Sequence, residues 1–269
     1  MIRCFHEAPK CLFYTVQNIT SGDYALVHLF EQDYEYYNLF KDAVSKGREV
    51  ILDNSVFELG EAFNEDKFVG WIRELKPAYY VVPDVLENGY ATIDSFKNFT
   101  SKYPDLPGKK IGVIQGKDIA EFIECYKVLE PHCDMVGISF DYSWYQSMVD
   151  NGSPLERMCW GRQKLLYELD RLGVINRYKQ HHLLGVALPQ EVKLYGCLQN
   201  LGYLEWIYSI DTSNPVVHGM GNIAYNSNGL RTKCSQKLCT MIDEYVSIES
   251  EATVVHNINR FRRWANGEE

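Results

Sequence analysis

The chain lacks any long apolar run, which excludes one class of protein at the start. No stretch of its 269 residues approaches the ~20 uninterrupted apolar residues that a membrane-spanning helix needs. The segment from Met1 to Gln17 lacks the apolar core of a signal peptide, because His6, Glu7 and Lys10 interrupt it. We therefore expect a cytoplasmic protein with no membrane partner.

Disulfide scaffolds and linkers are also missing. The eight cysteines form no CxxC pair and are irregularly spaced, so we expect reduced, mostly structural thiols. No Pro/Gly/Ser-rich linker divides the chain, which predicts one domain over residues 1–269 with a helical C-terminal segment at about 235–266. A net charge of −9 argues against a protein that coats nucleic acid, but it permits an enzyme with one local basic groove.

What the chain does contain is an alternation of short apolar runs with amphipathic stretches of helix length. Near-continuous apolar strands are typical of a parallel sheet that is covered on both faces. Eight such units predict an α/β fold, a single-domain (β/α)₈ barrel of the TIM type. A doubly wound open sheet is the main alternative, but no GxGxxG follows a strand. The runs are 11–17, 24–29, 49–54, 79–86, 109–116, 135–140, 182–189 and 206–213.

Polar residues and glycines cluster where these runs end, which is where barrel enzymes carry their chemistry. Any single Asp there could cap a helix or loop. Asp53, Asp84 and Asp211 all end apolar runs, and this pattern favours one shared site, because carboxylates that repel each other are common at active sites. The other strand-end candidates are Gln115, Gly116, Asp141 and Gly185.

Two of these carboxylates have the residue type needed for displacement at a sugar carbon. Either Asp53 or Asp211 could attack the carbon while the other moves a proton. Phe57 could stack on a base or sugar, or it could be a core aromatic residue. Gln115 both donates and accepts hydrogen bonds, which suits the edge of a heterocycle. Close approach of a ligand to the backbone is permitted at Gly116 and Gly185.

The motifs DNSVF, PDVL, GVIQG, LLGVAL and SIDTSNP, in this order, resemble those of the tRNA-guanine transglycosylase superfamily. That resemblance covers residues from about 50 to 265. It implies a (β/α)₈ enzyme that exchanges guanine in nucleic acid for a 7-deazaguanine. It also implies roles for individual residues: Asp211 as nucleophile, Asp53 as base or substrate-binding carboxylate, Phe57 stacked on the base, Asp84 on the guanine edge, and Gln115, Gly116, Gly185 and Val186 in the substrate pocket.

The chain departs from that family in its metal site. The family's CxCxxC…H zinc module is missing, and only Cys234, Cys239 and His256 remain, loosely spaced. We therefore expect no cofactor, with zinc at these three residues as the less favoured alternative.

The short chain resembles most the compact phage and genomic-island branch of the superfamily, DpdA, which acts on DNA. This resemblance implies exchange of guanine in DNA for preQ0 or preQ1 and favours DNA over tRNA; a homodimer stays open. Alternatives are the same exchange on tRNA, a nucleoside or DNA glycosidase that uses water, and a non-catalytic partner subunit.

Candidate phosphate contacts are Arg162, Lys164, Arg171, Arg177 and Lys179, then Arg231, Lys233 and Lys237, then Arg260, Arg262 and Arg263.

Overall fold

The computed structural model describes residues 1–140, 143–230 and 236–268. Eight strands follow one another in chain order around a closed barrel, which confirms the fold expected from the sequence. The pair β1–β8 and the successive pairs from β2 to β6 are parallel. The strands are β1 Arg3–His6, β2 Gly22–Leu26, β3 Glu49–Asp53, β4 Tyr79–Val81, β5 Lys109–Ile114, β6 Met135–Ile138, β7 Gln180–Leu183 and β8 Ile207–Asp211.

Helices separate most of the strands. The α-helices are α1 Phe13–Gln17, α2 Val27–Gln32, α3 Tyr34–Ser45, α4 Val56–Leu59, α5 Glu65–Leu75, α6 Gly89–Lys102, α7 Ile119–Leu129, α8 Pro154–Arg171, α9 Gln190–Asn200, α10 Asn214–Met220 and α11 Ile248–Ala265. Short 3₁₀ turns occupy Lys10–Leu12, Glu130–His132, Ser143–Met148 and Leu238–Thr240.

One predicted strand is wrong. The run 11–17 forms a 3₁₀ turn and helix α1, and the first strand is Arg3–His6 instead. The buried side chains of the run include Leu12, Phe13 and Val16, which share one face at helical spacing. Total apolar content indicated a strand, but this spacing is that of a helix.

The chain forms two compact units. The first consists of Met1–Ser21, Phe140–Tyr178 and His182–Glu269, and it includes β1, β8 and helices α8 to α11. The second consists of Gly22–Ser139 and Lys179–His181, and it includes β2 to β6 with helices α2 to α7.

Each unit buries apolar side chains in the pattern of its elements. In the second unit Val50, Ile51 and Leu52 are consecutive and fully buried, as expected for a strand that is covered on both faces. In the first unit α11 buries Val254 and Ile258 on one face. Burial of each such side chain contributes about 1.5–3 kcal/mol. Among the described residues, the helices are too short or too polar to cross a bilayer.

Helix α8 carries a residue of the candidate site, and its ends are well defined by the sequence. Pro154 occupies its first turn, and Ser153 and Glu156 form a reciprocal capping box in front of it. At the other end Gly173 adopts a φ of 70°, and its N–H donates to the carbonyl of Asp170 at 3.0 Å.

Candidate active site

In the second unit, Asp84 is held by two side-chain amides. We call Asp84, Asn54 and Gln115 the Asp84 cluster; its members follow β4, β3 and β5 respectively. The amide nitrogen Nδ2 of Asn54 donates to Asp84 Oδ1 at 2.7 Å, and Nε2 of Gln115 donates to Oδ2 at 2.6 Å. Each carboxylate oxygen therefore has one fixed donor, which sets the plane of the carboxyl group.

The backbone determines which way both amides point. The carbonyl oxygen Oδ1 of Asn54 accepts from the N–H of Val56 at 2.8 Å. That of Gln115, Oε1, accepts from the N–H of Glu87 at 2.9 Å. Because the two amide oxygens are committed to backbone donors, both NH₂ groups face Asp84. Asn54 also donates to the carbonyl of Val82 at 3.2 Å.

The environment of Asp84 changes its acidity. Its side chain is buried, and burial raises the pKa of the carboxyl group to about 6, while the hydrogen bonds from Asn54 and Gln115 act in the opposite direction. The group therefore titrates just below neutral pH instead of in the ordinary range of an aspartate. A carboxylate with such a pKa that is oriented by two amides is typical of a binding or catalytic site.

Asp53 ends β3 and is stabilised by the turn that follows. Its Oδ2 accepts from the N–H of Ser55 at 2.9 Å, and Ser55 has a left-handed φ of 61°. Left-handed backbone at a residue other than glycine is strained, and such strain concentrates at functional sites. Phe57 in α4 is 42% exposed, so it is not a core aromatic residue.

Gly116 has a structural reason to be glycine. A Cβ there would lie 2.7 Å from the backbone nitrogen of Phe122 and 3.0 Å from its Cα. The first turn of α7 therefore requires a glycine at this position, whatever the ligand. A role of Gly116 in substrate binding stays a prediction.

In the first unit, Asp211 lies at the end of β8 within a second group of polar residues. We call Asp211, His182, Ser209 and Gly185 the Asp211 cluster. Nε2 of His182 lies 3.0 Å from Asp211 Oδ1, and the N–H of Gly185 donates to the same oxygen at 3.1 Å. Nδ1 of His182 lies 2.8 Å from the Ser209 hydroxyl.

The two oxygens of Asp211 differ in their partners. Since a carboxylate oxygen only accepts, the proton of the His182–Asp211 bond is on Nε2, and Oδ1 receives two N–H donors. Oδ2 accepts no hydrogen bond from the residues that the structure describes. One oxygen is thus fixed, and the other is left for a ligand.

Ser209, His182 and Asp211 have the residue types of a hydrolytic triad, but their burial excludes that mechanism. Ser209 and His182 have no exposed surface. A substrate carbonyl cannot reach the Ser209 hydroxyl, whereas Asp211 retains 5% exposure. Of the three side chains, only the carboxylate of Asp211 is therefore accessible to a ligand.

A buried arginine holds the loop that carries Gly185. Arg162 of α8 donates to the carbonyls of Leu184 and Gly185 at 2.8 and 2.7 Å. Its Nε donates to Glu191 Oε1 at 2.7 Å, and its guanidinium lies 4.7 Å from the centroid of the Phe140 ring. With both carbonyls bound to Arg162, the peptide N–H of Gly185 is free to face the carboxylate on β8.

Gly185 has a left-handed φ of 62°, which predicts a measurable effect of a methyl group there. A Cβ at Gly185 would meet only Phe140 Cβ, at an ordinary 3.6 Å, so the effect comes from the backbone. We expect Gly185→Ala to cost about 1–2 kcal/mol of unfolding free energy in thermal denaturation, because an L-residue disfavours this conformation. If Asp211 carries a catalysed reaction, a displaced N–H should also slow that reaction roughly tenfold.

Gly47 offers a matched control, since its φ is 74° and a Cβ there would meet nothing within 4 Å. Gly47→Ala should cost similar stability and leave the reaction rate unchanged. Equal rates in both variants would contradict a role for the Gly185 N–H.

The structure corrects one predicted phosphate contact. Arg162 is fully buried, so it cannot bind a nucleic-acid backbone, and its charge is satisfied by Glu191. The other four residues of that group have internal acceptors: Lys164 with Met148, Arg171 with Glu168, Arg177 with Asp170, and Lys179 with Cys133 and Glu130.

Some predicted residues lie outside the described part of the chain: Asp141, Arg231, Lys233 and Cys234. Of the other two zinc candidates, Cys239 is half-buried, and His256 bonds the carbonyl of Tyr225 through Nε2 at 3.2 Å. Within the described residues, no three His, Cys, Asp or Glu side chains are grouped to hold a metal ion.

The sequence predicted Asp53, Asp84 and Asp211 as site residues but only some of their partners. Each acidic residue ends its strand or follows it, as predicted, and Gln115 lies beside Asp84. Asn54 and His182 were not predicted. His182 did leave one signal, because it is a polar residue at the start of the otherwise apolar run 182–189.

Comparisons with known proteins assign no activity to the chain. No family model and no curated protein matches the chain. It is similar to an enolase from environmental sequencing of the Sargasso Sea (8% identity, TM-score 0.42, 78% of this chain and 54% of that one). A second similar enolase, from alpha pretobacterium bal199 with bound Mg, has 10% identity and TM-score 0.44 over 80% and 55%. RipC from Yersinia pestis has 9% identity and TM-score 0.42 over 96% and 95%. The chain spans about half the length of the two enolases.

Proposed function

We propose that the chain is a base-exchange transglycosylase. It replaces guanine in DNA with a 7-deazaguanine of the preQ0 or preQ1 type, through a covalent bond between the sugar and Asp211. The observation that carries this proposal is the asymmetry of Asp211, whose Oδ1 is fixed by two N–H donors while Oδ2 accepts none from the described residues. An oriented carboxylate with one available oxygen suits attack on a sugar carbon.

The chemistry divides into two displacements. Oδ2 of Asp211 attacks C1′, the bond from C1′ to N9 of guanine breaks with its electron pair on the base, and a proton from Asp53 neutralises the departing guanine. The incoming 7-deazaguanine then gives a proton back to Asp53, and its N9 attacks C1′ and displaces Asp211. Two inversions at one carbon retain its configuration.

Recognition of the base is assigned to the Asp84 cluster. An ionised carboxylate matches the two adjacent donors of guanine, N1–H and the 2-amino group. The amides of Asn54 and Gln115 support this role because they fix the carboxyl plane before a base arrives. Gln115 has less capacity to bind the base edge than the sequence suggested. Its amide oxygen already accepts from the N–H of Glu87, and one of its N–H groups already donates to Asp84. Phe57, half-exposed, stacks on the base, and Gly116, Gly185 and Val186 keep their predicted roles in substrate binding.

Guanine inside a duplex does not expose its glycosidic carbon to an enzyme, so the nucleotide is flipped out of the stack. DNA is the preferred substrate and tRNA the alternative, with phosphate contacts made by the exposed cations of the chain. A location in the cytoplasm is part of the same proposal.

The raised pKa of Asp84 predicts an acid limit on activity. Guanine needs the ionised carboxylate, so the exchange rate should fall as the pH decreases through about 6. The free energy of unfolding changes with pH in the opposite direction. Because the folded-state pKa is raised, the native state binds more protons than the unfolded chain between about 4 and 6, and stability from this group is lost as the pH rises through that window.

The variant Asp84→Asn, which keeps the side-chain shape, tests both signs. Its exchange rate should be low and should not fall further as the pH decreases through about 6. Its free energy of unfolding should no longer decrease as the pH rises from about 4 to 6. Activity that increases as the pH falls below 6 would show that the protonated acid is the active form and overturn the assignment.

The function is tested by supplying radiolabelled guanine or preQ0 together with DNA or tRNA and measuring which polymer acquires label. Label in DNA supports the proposal, and label in tRNA alone would show that the substrate is RNA. Release of free guanine without incorporation would establish a glycosidase instead. No release and no incorporation would favour a non-catalytic subunit.

A further inference from the structure

His182 occupies an unusual place for a titratable side chain. It belongs to β7, has no exposed surface, and uses both ring nitrogens: one with the Ser209 hydroxyl at 2.8 Å and one with Asp211 Oδ1 at 3.0 Å. The ring of Phe5 packs edge-on, with centroids 6.2 Å apart and planes at 82°. These contacts leave the imidazole a single orientation.

That orientation determines where the proton is. An ionised Asp211 can only accept, so Nε2 carries the proton, and in the neutral imidazole the Ser209 hydroxyl donates to Nδ1. The hydrogen-bond chain thus runs from Ser209 through His182 to Asp211. Its effect is to hold one carboxylate oxygen still, together with the N–H of Gly185 at 3.1 Å on the same atom.

Burial excludes a direct role for the ring in proton transfer. A general acid or base needs to come within hydrogen-bonding distance of the substrate, and His182 is covered on all sides. Any influence on the reaction therefore passes through Asp211.

We infer that His182 is a positioning residue that presents Oδ2 of Asp211 to the sugar carbon. The inference rests on the proposed function and adds a residue that neither the sequence motifs nor the comparisons assign. It resembles the way a second layer of hydrogen bonds orients the ligands of a metal, where loss of a partner costs about 10–100-fold.

The experiment compares His182→Leu, which removes the donor, with His182→Gln, whose amide nitrogen can replace Nε2–H. In single-turnover reactions with a guanine-containing DNA oligonucleotide, we expect the leucine variant to form the adduct about 100-fold more slowly, because the carboxylate is free to rotate. The KM for the oligonucleotide should stay within about threefold, since His182 touches no substrate, and glutamine should restore the rate to within about tenfold of the wild type.

Two results would overturn the inference. One is a leucine variant that unfolds at the wild-type temperature and reacts at the wild-type rate. The other is a folded glutamine variant that is as slow as the leucine variant, since a merely structural role would not be rescued by a donor.

A second measurement needs no substrate. In ¹⁵N-labelled full-length protein, the ring nitrogen shifts of His182 should show a protonated Nε2 and an unprotonated Nδ1. An unprotonated Nε2 would overturn the positioning role. Absence of any adduct in the wild type, with the proton on Nε2, would instead refute the proposed function and leave the hydrogen-bond chain as described.

Discussion

Replacing Asp211 with asparagine is expected to abolish the covalent adduct and to lower the rate of base exchange by roughly three orders of magnitude or more. Asparagine keeps the shape of the side chain and can still accept from His182 and Gly185 through its amide oxygen. Its amide nitrogen replaces Oδ2, however, and cannot attack a sugar carbon. The measurement is single-turnover exchange of labelled guanine, with the adduct resolved on a denaturing gel.

The matched control is Asp23→Asn. Asp23 is also a buried strand carboxylate, but its oxygens are bound by Arg48 at 2.7 and 3.1 Å, and the proposal gives it no part in the reaction. This variant should lose stability and keep its exchange rate. An Asp211→Asn enzyme that still forms the adduct would remove Asp211 as nucleophile.

Replacing Arg162 with methionine should have the largest effect on stability, about 3–5 kcal/mol of unfolding free energy. The loss leaves the carboxylate of Glu191, whose side chain has no exposed surface, as an uncompensated buried charge. It also removes the donors for the carbonyls of Leu184 and Gly185. Denaturant unfolding measures the free energy.

Two further variants distinguish the contribution of the Arg162–Glu191 ion pair from that of the hydrogen bonds to the loop carbonyls. In the double variant Arg162→Met with Glu191→Leu, most of the stability should return, because apolar side chains often replace a buried pair without loss. Its exchange rate should stay low, because the Leu184 and Gly185 carbonyls still lack a donor. Arg171→Met, on the same helix, breaks an exposed pair with Glu168 and should cost less than about 1 kcal/mol. A similar cost for Arg162→Met would contradict this account.

The barrel could be predicted because its strands are apolar in sequence. The runs at 49–54 and 109–116 contain strands that begin at the predicted residue and end one and two residues earlier than predicted, because strands covered on both faces are rich in apolar residues. The run 11–17 was wrong because a short apolar segment can be a buried helix or a strand, and composition alone does not distinguish them.

The candidate site could be predicted only in part, and the division has a physical cause. Asp84 and Asp211 were found because their position follows from where strands end. The partners Asn54 and His182 were not predicted, because a hydrogen bond between residues about 30 positions apart depends on the register of neighbouring strands. Arg162 was predicted as a phosphate contact, since nothing local to α8 indicates its burial against Glu191.

Peptide mass spectrometry of the trapped enzyme tests the central claim most directly. The protein is incubated with a guanine-containing DNA oligonucleotide, denatured, treated with nuclease and digested with a protease. We predict that one peptide, the one containing Asp211, gains the mass of a deoxyribosyl fragment, and that one free guanine is released for each modified chain. Guanine released without added mass on the protein, or an adduct on a different residue, would contradict the account.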